Sequence, residues 1–405
     1  MPEKALDGLK IIGFTYAGVG NMVIKYLVEH GATAIRVESI KRLDNTRVSA
    51  PYKDNIFGIN RSGYYAWINN DRYCIALNLK HPRAMEVCEK LIKWADILVE
   101  NFTPGTMERS NLGYNHVKKI NPGIIMVSCS QQGQTGPHRE MPGYGGTLQG
   151  LAGFTHLTGW PDRWPVQVDR SYPDYIAPRF AVVAVLAALD YRQRSGKGQF
   201  IDVSEYEDCI HFLAPVILDY TTNKNIQGRI GNRSPNAAPH GCYRCKGEDK
   251  WCVISVFTDE EWEALSQAIG NPELAKDIRF KTVWGRKQNE EELDSLIERW
   301  TIHHTREEVM TILQKAGVPA GMVRTAEDVV EHCPQLKHRH YFWTLNHPEI
   351  GDHIYPGTNF ILSKTPGELN MAAPCLGQHT EYVCKEILEM SEEEYIDLLV
   401  NDVFE

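Results

Sequence analysis

The chain lacks any run approaching the ~20 apolar residues that a membrane-spanning helix needs. Its opening residues, Met1-Pro-Glu-Lys-Ala-Leu-Asp7, hold no apolar leader core. A cytoplasmic protein without membrane association is therefore expected. It also lacks an excess of positive charge: 43 Lys and Arg stand against 52 Asp and Glu, a net charge of −9. A nucleic-acid backbone is thereby excluded as a partner. A disulfide framework is missing as well. Ten cysteines are scattered over 405 residues, which fits reduced thiols rather than a disulfide framework. Cys242-Tyr-Arg-Cys245 has half the spacing of a zinc site and Cys252 is near, but no second CxxC or His pair follows, and no metal is expected. Near the N-terminus, Gly18-Val-Gly-Asn-Met-Val23 lacks the third glycine of the GxGxxG dinucleotide fingerprint. Glu38 stands where a ribose-binding acid would, yet a tight strand-to-helix turn explains the two glycines equally well. Internal repeats and low-complexity segments are absent.

What is present is alternation. Leu9–Thr15, Ala34–Glu38, Asn69–Leu79, Asp96–Glu100 and Gly123–Ser128 read as strands, separated by helical patterns at Met22–His30, His81–Ala95 and Tyr114–Ile120. Such alternation predicts an α/β fold with a doubly wound, mostly parallel sheet, whose ligands bind beyond the carboxyl ends of the strands. A strand at Gly196–Ser204 and one long helix over Glu205–Tyr220 follow. The polar stretch Asn223–Pro239 reads as a linker to a smaller α+β domain with helices at Asp259–Ile269, Glu290–Trp300 and Arg306–Ala316. The expected division is 1–222 for the first part of the large Rossmann-like domain, 223–325 for the linker and small domain, and 326–405 for the return.

One acidic residue stands out. Asp174 precedes Ile176-Ala-Pro-Arg-Phe-Ala-Val-Val-Ala-Val-Leu-Ala-Ala-Leu189, a stretch apolar on nearly every face and so expected to be a buried helix, with Pro178 in its first turn. Locally, Asp174 fits a helix-capping aspartate and also a reactive carboxylate on the floor of a pocket.

Longer segments carry a resemblance. Ala34-Ile-Arg-Val-Glu38, Ile75-Ala-Leu-Asn-Leu-Lys-His-Pro82, Ala95-Asp-Ile-Leu-Val-Glu-Asn-Phe-Thr-Pro-Gly-Thr-Met-Glu-Arg109, Gly133-Gln-Thr-Gly-Pro137, Arg194-Ser-Gly-Lys-Gly-Gln-Phe-Ile-Asp202 and Ala316-Gly-Val-Pro-Ala320 resemble the class III CoA-transferases, the CaiB/BaiF family, over essentially the whole chain. Gly159-Trp-Pro-Asp-Arg163 and Tyr172–Phe180 look most like the branch acting on substituted succinates, the succinyl-CoA:benzylsuccinate CoA-transferase type. The resemblance implies subunits interlocked as a homodimer, or a heteromer with a homologous subunit. It implies no permanently bound cofactor, with coenzyme A and acyl-CoA as substrates alongside a carboxylic acid. Asp174 would be the nucleophile, passing through an aspartyl anhydride and an aspartyl-CoA thioester. Asn101, Phe102 and Arg109 would contact CoA, and Arg36, Arg47 and Arg72 its phosphates. Tyr16, Gly18 and Tyr144 would face the acid substrate; where Gly231–Gly241 replaces the family's glycine-rich lid loop, an Arg or His such as Arg233 or His240 is the candidate to bind a second carboxylate. Two departures bear on substrate: the family's Gln in the first turn is replaced in Gly18-Val-Gly-Asn21, and a Tyr-Glu pair becomes Tyr144-Gly145. Formyl-CoA and oxalate are accordingly not expected. The alternatives are a non-catalytic partner subunit and an α-methylacyl-CoA racemase, for which the required His is replaced by Tyr144.

Overall fold

A computed structural model describes residues 4–169 and 171–405, so Met1–Glu3 of the N-terminal stretch lie outside it. The chain forms two compact units. The larger comprises Met1–Thr155, Gln167–Ile226 and Gln335–Glu405; the smaller comprises His156–Val166 and Gln227–Pro334.

The larger unit is built on six parallel strands, β1 (Lys10–Phe14), β2 (Thr33–Glu38), β3 (Tyr73–Ala76), β4 (Ile97–Glu100), β5 (Ile125–Ser130) and β6 (Phe200–Ser204), in the order β3-β2-β1-β4-β5-β6. Successive side chains of each strand feed opposite faces. Ile12, Phe14 and Leu98 join one core with Leu91 and Ile92 of helix Ala84–Trp94, whereas Ile11, Ile97 and Val99 join a second with Val23 and Leu27 of helix Val19–Val28. Burial on both faces explains why these strands are continuous apolar runs. The C-terminal return closes the first face with Val383, Tyr395, Leu398 and Phe404, and Glu405 accepts from Ser39 Oγ at 2.6 Å and Ile40 N–H at 2.7 Å. A hairpin of β10 (Phe342–His347) and β11 (Gly351–Pro356) belongs to the same unit.

Several expectations about the central helices are corrected. The helix carrying Asp174 runs Tyr172–Ser195, so Asp174 lies inside its first turn, Pro173 takes the entry position, and Pro178 sits in the interior. Proline has no N–H to give the carbonyl four residues back, which here is that of Asp174. This helix is also not buried all round: Ala177, Ala181, Val185 and Ala188 enter the core, but Phe180, Val183 and Leu186 are 37%, 65% and 45% exposed. Against the expectation that no stretch could span a membrane, this helix is long and apolar enough to do so by length and composition. The expected single helix after β6 is two, Glu205–His211 and Ala214–Asn223, because Pro215 cannot continue the first.

In the smaller unit β7 (His240–Arg244), β8 (Trp251–Ser255) and β9 (Ala320–Met322) form an antiparallel sheet. Trp262, Phe280, Leu293, Ile297, Val309 and Leu313 pack into its core.

Candidate active site

The strand order reverses between β1 and β4, and a cleft of about 280 Å³ opens there, at the carboxyl ends of β1, β4 and β5. The two loops flanking the switch point are tied by one side chain. Asn101, one residue past β4, accepts from Tyr16 N–H at 2.8 Å and donates from Nδ2 to Tyr16 O at 2.6 Å. Ala17 is held at φ +58 by its N–H on Asp44 Oδ2 at 3.1 Å and its carbonyl on Asn21 Nδ2 at 2.7 Å. Gly20 has no room for a side chain, since a Cβ would lie 2.7 Å from Thr15 Cγ2 and 3.0 Å from Asn101 Oδ1. The glycines of this turn therefore serve close packing and the approach of Asp174.

Asp174 projects between Gly18 and Gly145. A Cβ on Gly145 would meet Asp174 Oδ1 at 2.5 Å, and one on Gly18 would meet Oδ2 at 3.1 Å. Glycine at both positions lets the loop Thr15–Val19 and the helix Gly145–Ala152 close on the carboxylate from two sides. Burial raises the Asp174 pKa from 3.8 to about 6, offset only in part by a backbone N–H. A carboxylate so placed is desolvated, ionised at neutral pH and open to the cleft, the combination a carboxylate nucleophile needs.

Tyr16, Gly18, Asn101, Phe102 and Tyr144 line the cleft with Asp174. Tyr144 is 64% exposed at the rim, and burial pushes the Tyr16 phenol above its usual range. The three arginines expected at the phosphates are elsewhere. Arg36, Arg47 and Arg72 are all fully buried. Arg47 makes a two-pronged pair with Glu38 at 2.8 and 2.9 Å, donates to Pro374 O at 3.2 Å and stacks 3.6 Å from the Tyr65 ring centroid. Arg36 pairs with Asp44 and donates to Asn69 Oδ1 at 3.0 Å. Arg72 donates to Ile68 O at 3.0 Å and Asn21 O at 3.1 Å. All three side chains are held inside the fold away from solvent, and none lines the cleft. Glu38 is likewise consumed by Arg36 and Arg47, whose cations hold it below the ordinary carboxylate range, and by the Tyr65 hydroxyl, so it is no ribose ligand. Arg109 is exposed, bonded to Thr106 Oγ1 at 3.0 Å, and is not part of the cleft wall. Arg233 and His240 lie in the smaller unit, Arg233 3.6 Å from Glu290 and His240 bonded to Asn232 O at 2.6 Å.

The cleft also holds residues that sequence reasoning passed over. Its cations among the described residues are Arg42, 5.4 Å from the Tyr16 ring centroid and 5.8 Å from that of Phe102, and Arg139, paired with Glu140 at 3.1 Å. On its floor lie Ser130 and Glu205, each 6% exposed. Burial, together with the charges of Asp174 and Asp208, holds the Glu205 carboxyl well above its normal pKa. Among the described residues no cluster of His, Cys, Asp or Glu is arranged for a metal.

Comparison with known proteins agrees with this geometry. The model of CoA-transferase family III matches residues 6–380. The chain is 32% identical to succinyl-CoA–D-citramalate CoA-transferase of Chloroflexus aurantiacus, over 97% of this chain and 96% of that protein. It is 30% identical to the mouse succinyl-CoA:glutarate CoA-transferase, over 99% and 91%, and 32% identical to the β subunit of a Chloroflexus succinyl-CoA–L-malate CoA-transferase, over 97% and 96%. A CaiB/BaiF family crystal structure from Brucella suis superposes with a TM-score of 0.87 at 31% identity, covering 95% of this chain and all of that one.

Proposed function

The chain belongs to CoA-transferase family III, and from that premise we propose that it moves CoA from succinyl-CoA to a dicarboxylic acid, with Asp174 as the nucleophile. The observation that carries this reading is the Asp174 carboxylate, desolvated and enclosed by Gly18 and Gly145 at the switch-point cleft.

An Asp174 oxygen adds to the thioester carbonyl, the C–S bond breaks, and CoA leaves as thiolate with the bonding pair, giving a mixed anhydride. The thiolate then attacks the Asp174 acyl carbon, releasing the donor acid and leaving an aspartyl-CoA thioester. The acceptor carboxylate repeats the sequence in reverse and departs as its CoA thioester. Each intermediate is prone to hydrolysis, so keeping water out and reactants adjacent is most of the protein's task. Asn101 and Phe102 fit the CoA arm, and Arg42 and Arg139 are the cations available for anionic groups at the cleft. Tyr16, Gly18 and Tyr144 fit the acid.

Relatives named for citramalate, glutarate and malate support a short dicarboxylate acceptor; benzylsuccinate is a substituted member of that class. Paired α and β subunits among the relatives, and the exposed Phe180, Val183 and Leu186, support an interlocked dimer, homomeric or with a homologous subunit. The test is a panel of these four acids with succinyl-CoA, scored by the appearance of the new thioester. Transfer to at least one is expected. Thioester loss without transfer, or exchange of an α-proton in deuterated water with no acceptor present, would refute the reading.

A further inference from the structure

We propose that the Glu205 carboxyl and the Ser130 hydroxyl form a two-donor pocket for the acyl oxygen that becomes an oxyanion when Asp174 attacks. The proposal rests on the reading of Asp174 as nucleophile and adds the group that stabilises its transition state.

Ser130 ends β5 and is the register partner of Ser204, which ends β6, so Glu205 begins its helix beside Ser130. Tyr206 N–H donates to Gln131 O at 2.9 Å and fixes the two chain turns together. Both side chains line the Asp174 cleft at 6% exposure. Ser130 Oγ is buried without a hydrogen-bond partner. An unpartnered buried polar group costs about 1–3 kcal/mol, and the lone Ser130 hydroxyl on the cleft floor beside Glu205 is explained if a ligand atom satisfies it. Removal from water, with the charges of Asp174 and Asp208 beside it, raises the Glu205 pKa and favours the protonated carboxyl, whose O–H faces the cleft in place of a second negative charge.

In the attack an Asp174 oxygen forms a bond to the thioester carbon, and the carbonyl π pair moves onto oxygen, which accepts hydrogen bonds from Glu205 O–H and Ser130 O–H. The pair returns as the C–S bond breaks and the thiolate leaves. Neither donor loses its proton, so the step balances without an external acid.

The test compares Glu205→Leu, Glu205→Gln and Ser130→Ala in the full-length protein. Glu205→Leu is expected to lower kcat about 10²–10³-fold while the KM for succinyl-CoA stays within about threefold. Glu205→Gln, whose amide still donates, is expected to recover most of that loss. Ser130→Ala, the least disruptive change, should lower kcat about tenfold or more at unchanged KM. An acyl adduct on Asp174 should still form in Glu205→Leu, only slowly. A kcat within threefold of wild type in Glu205→Leu or Ser130→Ala overturns the proposal, as does a Gln variant no better than Leu. Absence of the adduct in the unaltered protein would instead refute Asp174 as nucleophile.

Discussion

Replacing Asp174 by Asn should abolish transfer and make the protein more stable at neutral pH, and the size of the gain follows from the site. The carboxyl titrates at about 6 in the fold against 3.8 unperturbed, because burial disfavours its charge. That displacement corresponds to about 3 kcal/mol. The sign is set by the raised folded-state pKa. Stability linked to this group is full below 3.8, where both states are protonated, and is lost as pH rises through about 6. At pH 8 the native protein carries the whole penalty, about 3 kcal/mol at most, while at pH 5 it carries roughly half of it. Asn has the same shape and no charge, so its advantage should be about 3 kcal/mol at pH 8 and about half that at pH 5. For a chain of this size that is a rise of about 3–6 °C in the larger unit's unfolding midpoint at pH 8. Scanning calorimetry of both proteins at the two pH values is the assay. An Asn variant no more stable than wild type at pH 8, or an advantage that fails to shrink toward pH 5, would refute the claim that Asp174 is held charged against desolvation.

Gly145→Ala should cost transfer activity at least about 100-fold, because its Cβ would stand 2.5 Å from Asp174 Oδ1 and a small misplacement of a reacting group is expensive; steady-state kinetics on folded protein checks this. Arg42 and Arg47 should separate binding from stability. Arg42→Ala is expected to raise KM for succinyl-CoA several-fold with little change in denaturation midpoint. Arg47→Ala is expected to destabilise by about 3–5 kcal/mol, since it breaks a buried ion pair and takes from Glu38 its two-pronged partner. The rate at limiting substrate should fall as pH drops through about 6, where Asp174 takes up its proton.

The sheet was legible because strands buried on both faces write themselves as runs such as Ile11-Ile12 and Ile97-Leu-Val99. Asp174 was singled out as a candidate through the segments around it, not through its own surroundings, which resemble an ordinary helix entry. The arginines were misread because a buried and a surface arginine look alike in sequence. Arg47 finds Glu38 nine residues away, but Tyr65 and the Pro374 carbonyl reach it only through the fold. Gly145 was noticed only as a departure from the family's Tyr-Glu pair, and its reason, an approach from residue 174, is not written beside it. Glu205 read as the first polar residue of a helix, and only the pairing of β5 with β6 brings it to the cleft floor. The start of the Asp174 helix was set too late because Pro178 looked like the entry proline when Pro173 fills that role.

The central claim is that the acyl group passes through Asp174. Incubating the protein with succinyl-CoA, quenching with hydroxylamine or borohydride and mapping the modified peptide by mass spectrometry tests it directly. The account predicts a hydroxamate or alcohol at Asp174, formed only when succinyl-CoA is present and absent from Asp174→Asn. Transfer proceeding with unmodified Asp174, or with the label on another residue, would contradict it.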